Sequence, residues 1–400
     1  MKILYHHRTA SKDGQAVHIE EMIHALRSQG HEVCVVAPAA STSSADAMGA
    51  ETGWVQRLRE RLPKALYELL ELGYSWVAYR RLVAAARQFQ PDVVYERYNL
   101  YLLAGLALKW RLGLPLLLEV NAPLVHERMR FGGLGLPWLG RWAEGKVWRG
   151  ADMVLPVTDV LAGHVRARGV PDDRIVVIAN GINEEHFAQA PGPDAAKSAL
   201  GWSGMLVLGF TGFVRDWHGV DRVVQWMAGP SAPAHARLLV VGDGPARADL
   251  EALAQSLGVS GRVRFTGVVP RSEVPGYVAA FDIALQPAVV PYASPLKLFE
   301  YLALGRAVVA PREPNLEEVL TDGTNALLFD STVPGSLQAA LDTLCNDAVL
   351  RAHIAAGAAR TIADLGLTWK ANAARVVRLA DALSARRPTT AAWVDKPNRR

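Results

Sequence analysis

Short apolar segments alternate with helical patterns along almost the whole chain. The segments are apolar throughout instead of alternating apolar with polar positions, which is typical of parallel strands covered on both faces. Helical segments such as AVHIEEMIHALRSQG separate them, and this one ends at Gly30, a residue type that favours helix termini. The pattern predicts an α/β fold with doubly wound parallel sheets. The predicted strands are KILY, EVCVV, DVVY, PLLLEV, DMVLPV and RIVVI in the first half, and MLVLGF, RLLVVG, RVRFTG, DIALQP and AVVA in the second.

A break in this pattern predicts two domains. Between Ile182 and Met205 the periodicity is lost, and the chain is rich in Pro, Gly and Ala. Each half then opens with a strand, a glycine-containing loop and a helix. We therefore predict a first Rossmann-like domain over residues 1–185 and a second over residues 186–370. They are expected to face each other across a cleft at the carboxyl ends of both sheets, where such sheets bind ligands.

Composition narrows the class of protein. Of the 400 residues, 50% are hydrophobic and only 20% charged, so sizeable cores are expected. The net charge of +4 is modest and concentrated locally, in KPNRR and RLRERLPK, which argues against a nucleic-acid-binding protein. The two cysteines, Cys34 and Cys345, lack metal-binding spacing, so we expect a reducing compartment and no structural zinc.

The N-terminus and two aromatic segments bear on the membrane. MKILYHHRTA enters a strand at once, without the apolar core of a signal peptide, and no apolar run approaches the roughly 20 residues that span a bilayer. We expect a cytoplasmic protein. Residues 54–89 and the segment RFGGLGLPWLGRWAEGKVWRG interleave aromatic with basic residues. They are either helices packed on the first domain or a surface that contacts the inner face of a membrane or a lipid-linked acceptor.

The segment SPLKLFEYLALGRAVVA predicts an anion site at a helix terminus. Ser294 is a favoured N-cap and Pro295 a favoured first helical residue, so the N–H groups of Leu296 and Lys297 would lack intrahelical partners. A phosphate would fit there. Glu300 would lie roughly 9 Å from Ser294 along the helix axis, within reach of the ribose hydroxyls of a nucleotide. The alternative is a salt bridge between Lys297 and Glu300 on an exposed helix.

Two glycine-containing loops add to this prediction. FTGFVRDWHGVD places Gly212 directly after a strand, where a missing side chain lets a ligand approach the backbone. Arg215 follows in the same loop and could bind phosphate oxygens. VVGDGPARADLE places Gly242 at the end of another strand. Because these loops follow parallel strands, they are expected at one edge of the sheet.

An ordered set of segments resembles the retaining glycosyltransferases of the GT-B fold, family four (glycosyl transferases group 1). The resemblance implies transfer of a sugar from a nucleotide-diphosphate-sugar donor to an acceptor hydroxyl, without a metal or another cofactor, in the synthesis of a polysaccharide, glycolipid or other glycoconjugate. It places the donor on the second domain and a sugar, lipid-linked or small-molecule acceptor on the first. The segments are GHEV, VLPVTDVLAGHVRARGVPDDRIVVIANGIN, GFTGFVRDWHGVD, VVGDGPARADLEALA, RVRFTGVVPRSEVPGYVAAFDIALQP, SPLKLFEYLALGRAVVA and GTNALLFD.

On the donor side the resemblance assigns ribose binding to Glu300 and phosphate binding to Arg215, His218 and the amides around Lys297. Arg215 and Lys297 would also stabilise the departing diphosphate, which makes them catalytic candidates. His218 stands where the family carries Lys, and a bound pyrophosphate would raise the pKa of its imidazole. Donor binding is therefore expected to weaken at alkaline pH.

Two further positions depart from the family pattern. Tyr292 stands where a glutamate usually contacts sugar hydroxyls, and Phe213 stands where an arginine follows the loop glycine. The sugar end of the donor site is therefore not defined by the resemblance. Arg215 is the expected substitute for the missing arginine.

On the first domain the resemblance assigns Gly14 to the donor phosphates. Asn121 and Glu127, near the strand end LLLEV, are the catalytic candidates on this domain, since they could orient the acceptor hydroxyl or support positive charge on the sugar ring; Glu119 lies close to them in sequence. Structural roles remain the alternative for each. The other acceptor-side candidates are His18, Glu96, Arg97 and His126.

The C-terminus and the rival functions complete the prediction. By the resemblance, a helix over residues 371–386 returns to the first domain, and residues 387–400 are expected to form a disordered basic tail. A GT-B sugar-nucleotide epimerase, a phosphorylase and a non-catalytic nucleotide-sugar-binding protein are the alternatives. A dinucleotide-dependent dehydrogenase is disfavoured because HHRTASKDG lacks the G-x-G-x-x-G pattern after the first strand.

Overall fold

The computed structural model describes residues 1–9, 14–38 and 62–385. The chain divides into two compact units, one of Met1–Ala179 with Lys370–Arg400 and the other of Asn180–Trp369. The division lies before Asn180, whereas the sequence predicted it after residue 185. The predicted tail at residues 387–400 lies outside the described residues.

The first unit is built on a parallel sheet of five strands in the order β2-β1-β3-β4-β5. Apart from the half-exposed edge strand β2, its strands are almost entirely buried and rich in Val and Leu, because helices cover both faces of such a sheet. The strands are β1 (Lys2–His6), β2 (Glu32–Val36), β3 (Val93–Arg97), β4 (Leu116–Val120) and β5 (Met153–Pro156), and the helices are α1 (Gly14–Ser28), α2 (Lys64–Phe89), α3 (Ala104–Leu112), α4 (Leu124–Phe131), α5 (Pro137–Gly150) and α6 (Asp159–Ala167).

One predicted strand of this unit is wrong. RIVVI forms only an isolated bridge between Ile175 and Val154. The N–H groups of Val176 and Ile178 bond to carbonyls of β5, so the segment runs beside that strand without forming a ladder. The helix that ends near Gly30 is confirmed, and Gly30 has the left-handed φ of +82° that glycine adopts readily.

The second unit contains a parallel sheet of six strands in the order β11-β10-β9-β6-β7-β8. The edge strand β11 was missed, because ALLF follows a polar turn and has no helix-length segment before it. The strands are β6 (Leu206–Thr211), β7 (Ala236–Val241), β8 (Val263–Phe265), β9 (Ile283–Leu285), β10 (Ala307–Pro311) and β11 (Ala326–Phe329).

The helices of the second unit include two in the segment that the sequence described as irregular. The first begins after Asn183, whose side chain accepts a hydrogen bond from the N–H of His186. The second begins after Gly192, with Pro193 as its first helical residue. The helices are α7 (Glu184–Phe187), α8 (Pro193–Ala199), α9 (Val220–Met227), α10 (Arg247–Ser256), α11 (Val274–Ala279), α12 (Leu296–Ala303), α13 (Pro314–Glu317), α14 (Ser336–Asn346) and α15 (Ala348–Leu365).

A last helix, α16 (Trp369–Ala385), belongs to the first unit from Lys370 onward. Asn372 and Arg375 donate hydrogen bonds from their side chains to the carbonyls of Ala179 and Val177, at 2.8 and 2.9 Å. The Gln29 side chain donates to the carbonyl of Lys370 at 2.9 Å. The C-terminal helix is therefore tied to both ends of the first unit's chain. Among the described residues, none of the helices is both long enough and apolar enough to span a membrane.

Candidate functional site

The second unit brings the end of strand β6 against the start of helix α12. Gly212 follows β6 with a φ of +121°, a conformation that side chains rarely adopt. A Cβ at this position would lie 3.3 Å from both Cε and Nζ of Lys297. The lysine therefore rests directly against a stretch of backbone that carries no side chain.

The ammonium group of Lys297 is buried without an anion. Its Nζ lies 3.6 Å from the centre of the Phe210 ring and has no hydrogen-bond partner among the described residues. Burial lowers the pKa of Lys297 to about 7, opposed by the nearby carboxyl of Glu300. An ammonium in this position would gain strongly from an anionic ligand.

Glu300 lies on the same helix and faces the strand end. Its Oε2 accepts a hydrogen bond from the Thr211 hydroxyl at 3.4 Å. Burial raises the pKa of the Glu300 carboxyl, while the charges of Lys297 and Arg271 lower it. No ion pair joins Lys297 to Glu300 among the described residues, and both residues are half-buried instead of exposed. The predicted alternative of an exposed salt bridge is therefore wrong.

Tyr301 fixes this junction. Its hydroxyl accepts the N–H of Thr211 at 2.9 Å and donates to the carbonyl of Leu285 at 3.4 Å. Tyr301 thus connects α12 to the ends of β6 and β9. Sequence reasoning missed Thr211 and Tyr301, although both stand next to residues that it selected.

His218 is the residue that stands where the family carries lysine. Its Nδ1 accepts the backbone N–H of Arg215 at 3.1 Å, within a short helical turn over residues Asp216–His218. Burial, together with the charges of Lys297 and Arg215, lowers the pKa of His218 to about 2. His218 is therefore neutral in the free protein, and a positive charge on it in the presence of bound pyrophosphate stays a prediction. At this site Lys297 is a buried group whose pKa lies near neutrality.

Arg215 is exposed, with its guanidinium 5.1 Å from the centre of the Phe213 ring. It also borders a groove of about 390 Å³ together with Asp216, Asp221 and Asp249. No hydrogen bond holds its side chain on the described residues. No hydrogen bond to the described residues therefore opposes rotation of the Arg215 side chain toward a ligand at the neighbouring loop.

The two glycine-containing loops pack backbone against backbone. The N–H of Gly212 bonds to the carbonyl of Val241, and the N–H of Val214 to the carbonyl of Asp243, both at 2.9 Å. A Cβ at Gly242 would collide with the carbonyl of Gly212, and one at Gly244 with the carbonyl of Val214. Glycine is therefore required at position 242 because the two loop backbones lie in contact there, which is a packing role.

The start of helix α12 differs from the prediction. The helix begins at Leu296, and Pro295 occupies the N-cap position without a side-chain cap. The Ser294 hydroxyl instead accepts the N–H of Asn180 at 3.3 Å, and the Asn180 amide donates to the Ser294 carbonyl at 2.6 Å. The first intrahelical bond runs from Leu298 to Pro295, so the N–H groups of Leu296 and Lys297 remain the predicted anion donors.

The loop before this helix is held by Asn315, whose amide donates to the carbonyls of Val290 and Ala293 at 3.2 and 2.7 Å. Tyr292 lies in this loop and is buried. The loop therefore has a defined position although no glutamate stands at 292.

In the first unit, a buried carboxylate gathers several predicted residues. The Glu119 cluster consists of Glu119 and the four side chains around it, those of His18, Tyr95, Arg97 and Asn121. Burial by itself would raise the pKa of the Glu119 carboxyl, but His18 and Arg97 together with hydrogen bonds from His18 and Tyr95 hold it well below its usual range. Glu119 is therefore ionised at neutral pH.

The remaining first-unit candidates are dispersed. Gly14 is the exposed first residue of α1, and the residues before it are not described. His126 is exposed on α4 with its ring 5.6 Å from that of His164, and Glu127 is half-buried. Glu96 is buried, lies 2.5 Å from Nδ1 of His6 and accepts the N–H of Gly105 at 3.0 Å, a geometry that favours a structural role.

In the described ranges, the structure shows no group of three or more His, Cys, Asp or Glu side chains arranged to hold a metal ion. What the second unit does present is a buried cation, two helix-end amides and a carboxylate along one helix. Such a set suits a ligand with phosphate at one end and hydroxyl groups at the other.

Two family descriptions match adjoining parts of the chain. "Glycosyl transferase 4-like domain" matches residues 13–181, and "Glycosyl transferases group 1" matches residues 206–347. The chain belongs to the group 1 glycosyltransferases of family four. It is therefore an enzyme of the transferase class that uses a nucleotide-sugar donor.

Named relatives and solved structures agree with this family. A D-inositol 3-phosphate glycosyltransferase from Thermobispora bispora is 28% identical over 302 residues, covering 72% of this chain and 70% of that protein. A GDP-mannose-dependent alpha-mannosyltransferase from Mycobacterium tuberculosis is 27% identical over 396 residues, covering 95% and 96%. HepE from Anabaena, solved with UDP and glucose, matches at 17% identity with a TM-score of 0.73, covering 96% of this chain and 100% of that chain.

These findings confirm the GT-B fold and the glycosyltransferase function. All three proteins are similar to this group 1 glycosyltransferase over most of its length, and the two sequence relatives are named as transferases. The epimerase and the non-catalytic binding protein have no support among them.

Proposed function

We propose that this glycosyltransferase binds a UDP- or GDP-hexose on its second unit. The proposal also includes transfer of the hexosyl group, with retention of configuration and without a metal ion, to an acceptor hydroxyl bound by the first unit. The observation that carries it is the buried ammonium of Lys297, which has no anionic partner and lies against the bare backbone of Gly212. The named relatives support the choice of donors, since one uses GDP-mannose and a solved neighbour holds UDP.

The departing diphosphate would be stabilised by charge that the chain itself supplies. The flexible stem of Lys297 lets its ammonium turn from Phe210 toward a phosphate at Gly212. The N–H groups at the start of α12 and the exposed guanidinium of Arg215 would add donors as negative charge develops on the leaving group. These cations and dipoles are the reason for proposing a reaction that needs no metal ion.

The remaining parts follow from the same assignment. Glu300 would accept hydrogen bonds from the ribose hydroxyls, since Thr211 occupies only one of its oxygens at 3.4 Å. The acceptor would attack from the face that the diphosphate leaves, with a phosphate oxygen taking its proton. We place the reaction in the cytoplasm, in the synthesis of a polysaccharide, glycolipid or other glycoconjugate.

A panel of substrates tests this proposal. UDP-glucose, UDP-N-acetylglucosamine and GDP-mannose would be incubated with inositol 3-phosphate, 2-deoxystreptamine or water, in buffer containing a chelator, while release of nucleoside diphosphate is measured. We expect release with at least one donor, and proton coupling at the anomeric carbon should show retention. Absence of release with every donor, together with no thermal stabilisation by UDP or GDP, would refute the assignment.

A pair of variants localises the activity. Lys297→Met removes the buried charge but keeps the volume, so the chain should remain folded while release falls by about 10²-fold or more, as for loss of one electrostatic donor. Lys370→Met, an exposed lysine of the other unit, is the matched control and should release at the wild-type rate. Equal rates in both variants would exclude Lys297 from the site.

We further propose peripheral contact with an anionic membrane through the first unit. We call the exposed apolar and basic side chains on α2, α4 and α5 the aromatic–basic surface. The hydrogen bond from Lys64 Nζ to the carbonyl of Gly132, at 2.8 Å, joins the start of α2 to the end of α4. Arg130 lies 5.3 Å from the centre of the Phe131 ring, and Arg141 contacts Met129. Exposed apolar side chains interleaved with cations suit a headgroup region. The apolar members are Leu66, Leu69, Leu70, Trp76, Val77, Met129, Phe131, Trp138 and Trp142.

Vesicle sedimentation tests this contact. The full chain should sediment with phosphatidylglycerol vesicles more than with phosphatidylcholine vesicles, because the cations add to the apolar contribution. Trp138→Ser combined with Phe131→Ser should release it, whereas Val349→Ser, an exposed apolar residue of the other unit, should not. If the double variant sediments with the vesicles as strongly as the unchanged protein does, this surface does not bind the membrane.

A further inference from the structure

The Glu119 cluster contains a carboxylate whose two oxygens are surrounded by four polar groups. Oε1 accepts from Arg97 Nη1 and from Asn121 Nδ2, the latter at 2.5 Å. Oε2 accepts from the Tyr95 hydroxyl at 2.7 Å and lies 3.0 Å from His18 Nε2. An ionised carboxylate offers about four lone-pair sites, and four groups surround this one.

Glu119 therefore cannot act on a substrate itself. Its side chain is 3% exposed, and four groups surround its two oxygens, so a substrate hydroxyl or a sugar has no access to them. Tyr95 and Arg97 are buried as well. Asn121 is the half-buried member of the cluster and the first residue after β4, at the carboxyl end of the sheet, where such sheets bind ligands.

The contact with Glu119 determines which way the Asn121 amide faces. Only the NH₂ group can face a carboxylate oxygen, so the carbonyl Oδ1 must occupy the opposite branch of the amide. Oδ1 accepts no hydrogen bond from the part of the chain that the structure describes. An acceptor-only oxygen is thereby held outward at the strand end.

We propose that Glu119 is a positioning residue of the acceptor side, which holds Asn121 so that its Oδ1 accepts a hydrogen bond from the attacking hydroxyl. This inference rests on the proposed function, and it deepens the expectation that Asn121 or Glu127 orients the acceptor. Asn121 is the residue that touches the substrate. The hydrogen bond from the hydroxyl to Oδ1 would orient the oxygen lone pair toward the sugar without transferring a proton to the amide.

Three variants test the proposal with the donor and acceptor that give the highest release in the panel above. Asn121→Ala should lower turnover by roughly 10²-fold, the effect of a misplaced reacting group, while the affinity for UDP or GDP stays at the wild-type value because those contacts lie on the other unit. Glu119→Gln retains one oxygen for Arg97 and Asn121 but loses the charge, so turnover should fall by about tenfold. Glu68→Gln is the matched control.

Glu68 resembles Glu119 in burial and in its donors without sharing its neighbours. It accepts hydrogen bonds from the Tyr101 hydroxyl and from the N–H groups of Gly135 and Leu136, at 2.9, 2.6 and 2.9 Å. Its replacement by Gln should lower the melting temperature by an amount similar to Glu119→Gln, yet leave turnover per folded molecule unchanged. Equal losses of turnover in both Gln variants would reduce Glu119 to a structural residue and overturn the proposal.

A spectroscopic measurement tests the Glu119–Asn121 contact without any substrate. The side-chain amide protons of Asn121, assigned by their absence in Asn121→Ala, should resonate far downfield because one donates to a charged oxygen, and should move upfield in Glu119→Gln. An unchanged resonance would overturn the positioning role. If Asn121→Ala turns over at the wild-type rate, the catalytic role of Asn121 is overturned while the proposed function stands. If the wild-type protein releases no nucleoside diphosphate, the proposed function and this inference are overturned together.

Discussion

Lys297 and Glu119 are both buried charged side chains, and their surroundings assign them opposite roles. Glu119 is surrounded by four groups that satisfy its charge, so it stabilises a fixed arrangement. Lys297 has the face of Phe210 as its neighbour and no hydrogen-bond partner among the described residues. A buried charge without a partner is costly to the fold, so a position of this kind indicates a ligand.

The pH dependence of donor binding should follow Lys297. With a pKa of about 7, the free lysine loses its proton as the pH rises through neutrality, whereas a bound diphosphate stabilises the charged form and raises that pKa. Binding then takes up a proton, so the Kd for UDP or GDP should rise by up to about tenfold per pH unit above pH 7. Calorimetric titrations between about pH 7 and 9 measure it.

The neighbouring imidazole of His218 does not predict the same slope. His218 is already neutral in the free protein, because burial together with the charges of Lys297 and Arg215 lowers its pKa to about 2. Lys297→Met should therefore bind more weakly but with a Kd that is flat over this range. A slope that persists in the variant would assign the titration to another group.

Glu300 should discriminate nucleotides from bare phosphates. Glu300→Gln is expected to weaken the binding of UDP or GDP by roughly 10- to 100-fold, since a hydrogen bond to a charged group contributes about 1.5 to 3 kcal/mol. The affinity for inorganic pyrophosphate should not change, because it lacks the ribose. Glu273→Gln, an exposed carboxylate of the same unit, serves as control. If Glu300→Gln weakened the binding of pyrophosphate as much as that of UDP or GDP, Glu300 would not be the ribose-binding residue.

At the scale of elements, two loops form the site because they have no side chains where they meet. Gly244 lies against the backbone of Val214, and Gly242 against that of Gly212. The sequence identified glycine-containing loops after β6 and β7, but it could not show that the loops contact each other. That contact depends on β6 and β7 being neighbours in the sheet.

Gly244→Ala tests this contact. The added methyl group would collide with the Val214 carbonyl, so the two loops must separate. We expect a lower melting temperature and at least tenfold weaker binding of UDP or GDP. Gly276→Ala in α11, where nothing lies within 4 Å, should instead stabilise the protein slightly, by about 0.5 to 1 kcal/mol, and leave binding unchanged. Normal binding by Gly244→Ala would mean that the loop contact does not shape the site.

At the scale of the whole molecule, the chain consists of two units with separate sheets. Every residue that we assign to the nucleoside diphosphate on structural grounds lies in the second unit, whereas the Glu119 cluster lies in the first. A nucleotide should therefore stabilise one unit directly. The C-terminal helix α16 ties the end of the chain to the first unit, so that unit is formed by residues from both termini.

Differential scanning calorimetry should show this division. We expect two unfolding transitions. UDP or GDP at about 100 times its Kd should move only one of them to higher temperature, because it adds about 2.7 kcal/mol to the free energy of unfolding of that unit. Leu118→Ala, in the fully buried β4, should lower the other transition by about 2 to 5 kcal/mol. If nucleotide shifted the transition that Leu118→Ala lowers, the donor site would have been placed on the wrong unit.

The sequence by itself determined the class of fold and the donor-binding helix. Apolar runs alternating with helical patterns predict parallel sheets because burial on both faces requires apolar strands. The structure contains every predicted strand except RIVVI. Local signals were weaker at helix starts. Ser294 suits an N-cap, but its hydroxyl is taken by Asn180, more than a hundred residues away in sequence.

Only the tertiary structure decided the charges. That Lys297 lacks an anion, that His218 is neutral and that Glu119 is saturated depend on Phe210, Arg215 and the ends of three strands, none of which a local pattern brings together. The physical reason is that hydrophobic periodicity is a property of neighbouring residues, whereas burial and electrostatics depend on residues that are distant in sequence. The chain's pattern therefore predicted where a site would lie, and its folding determined what each side chain there can do.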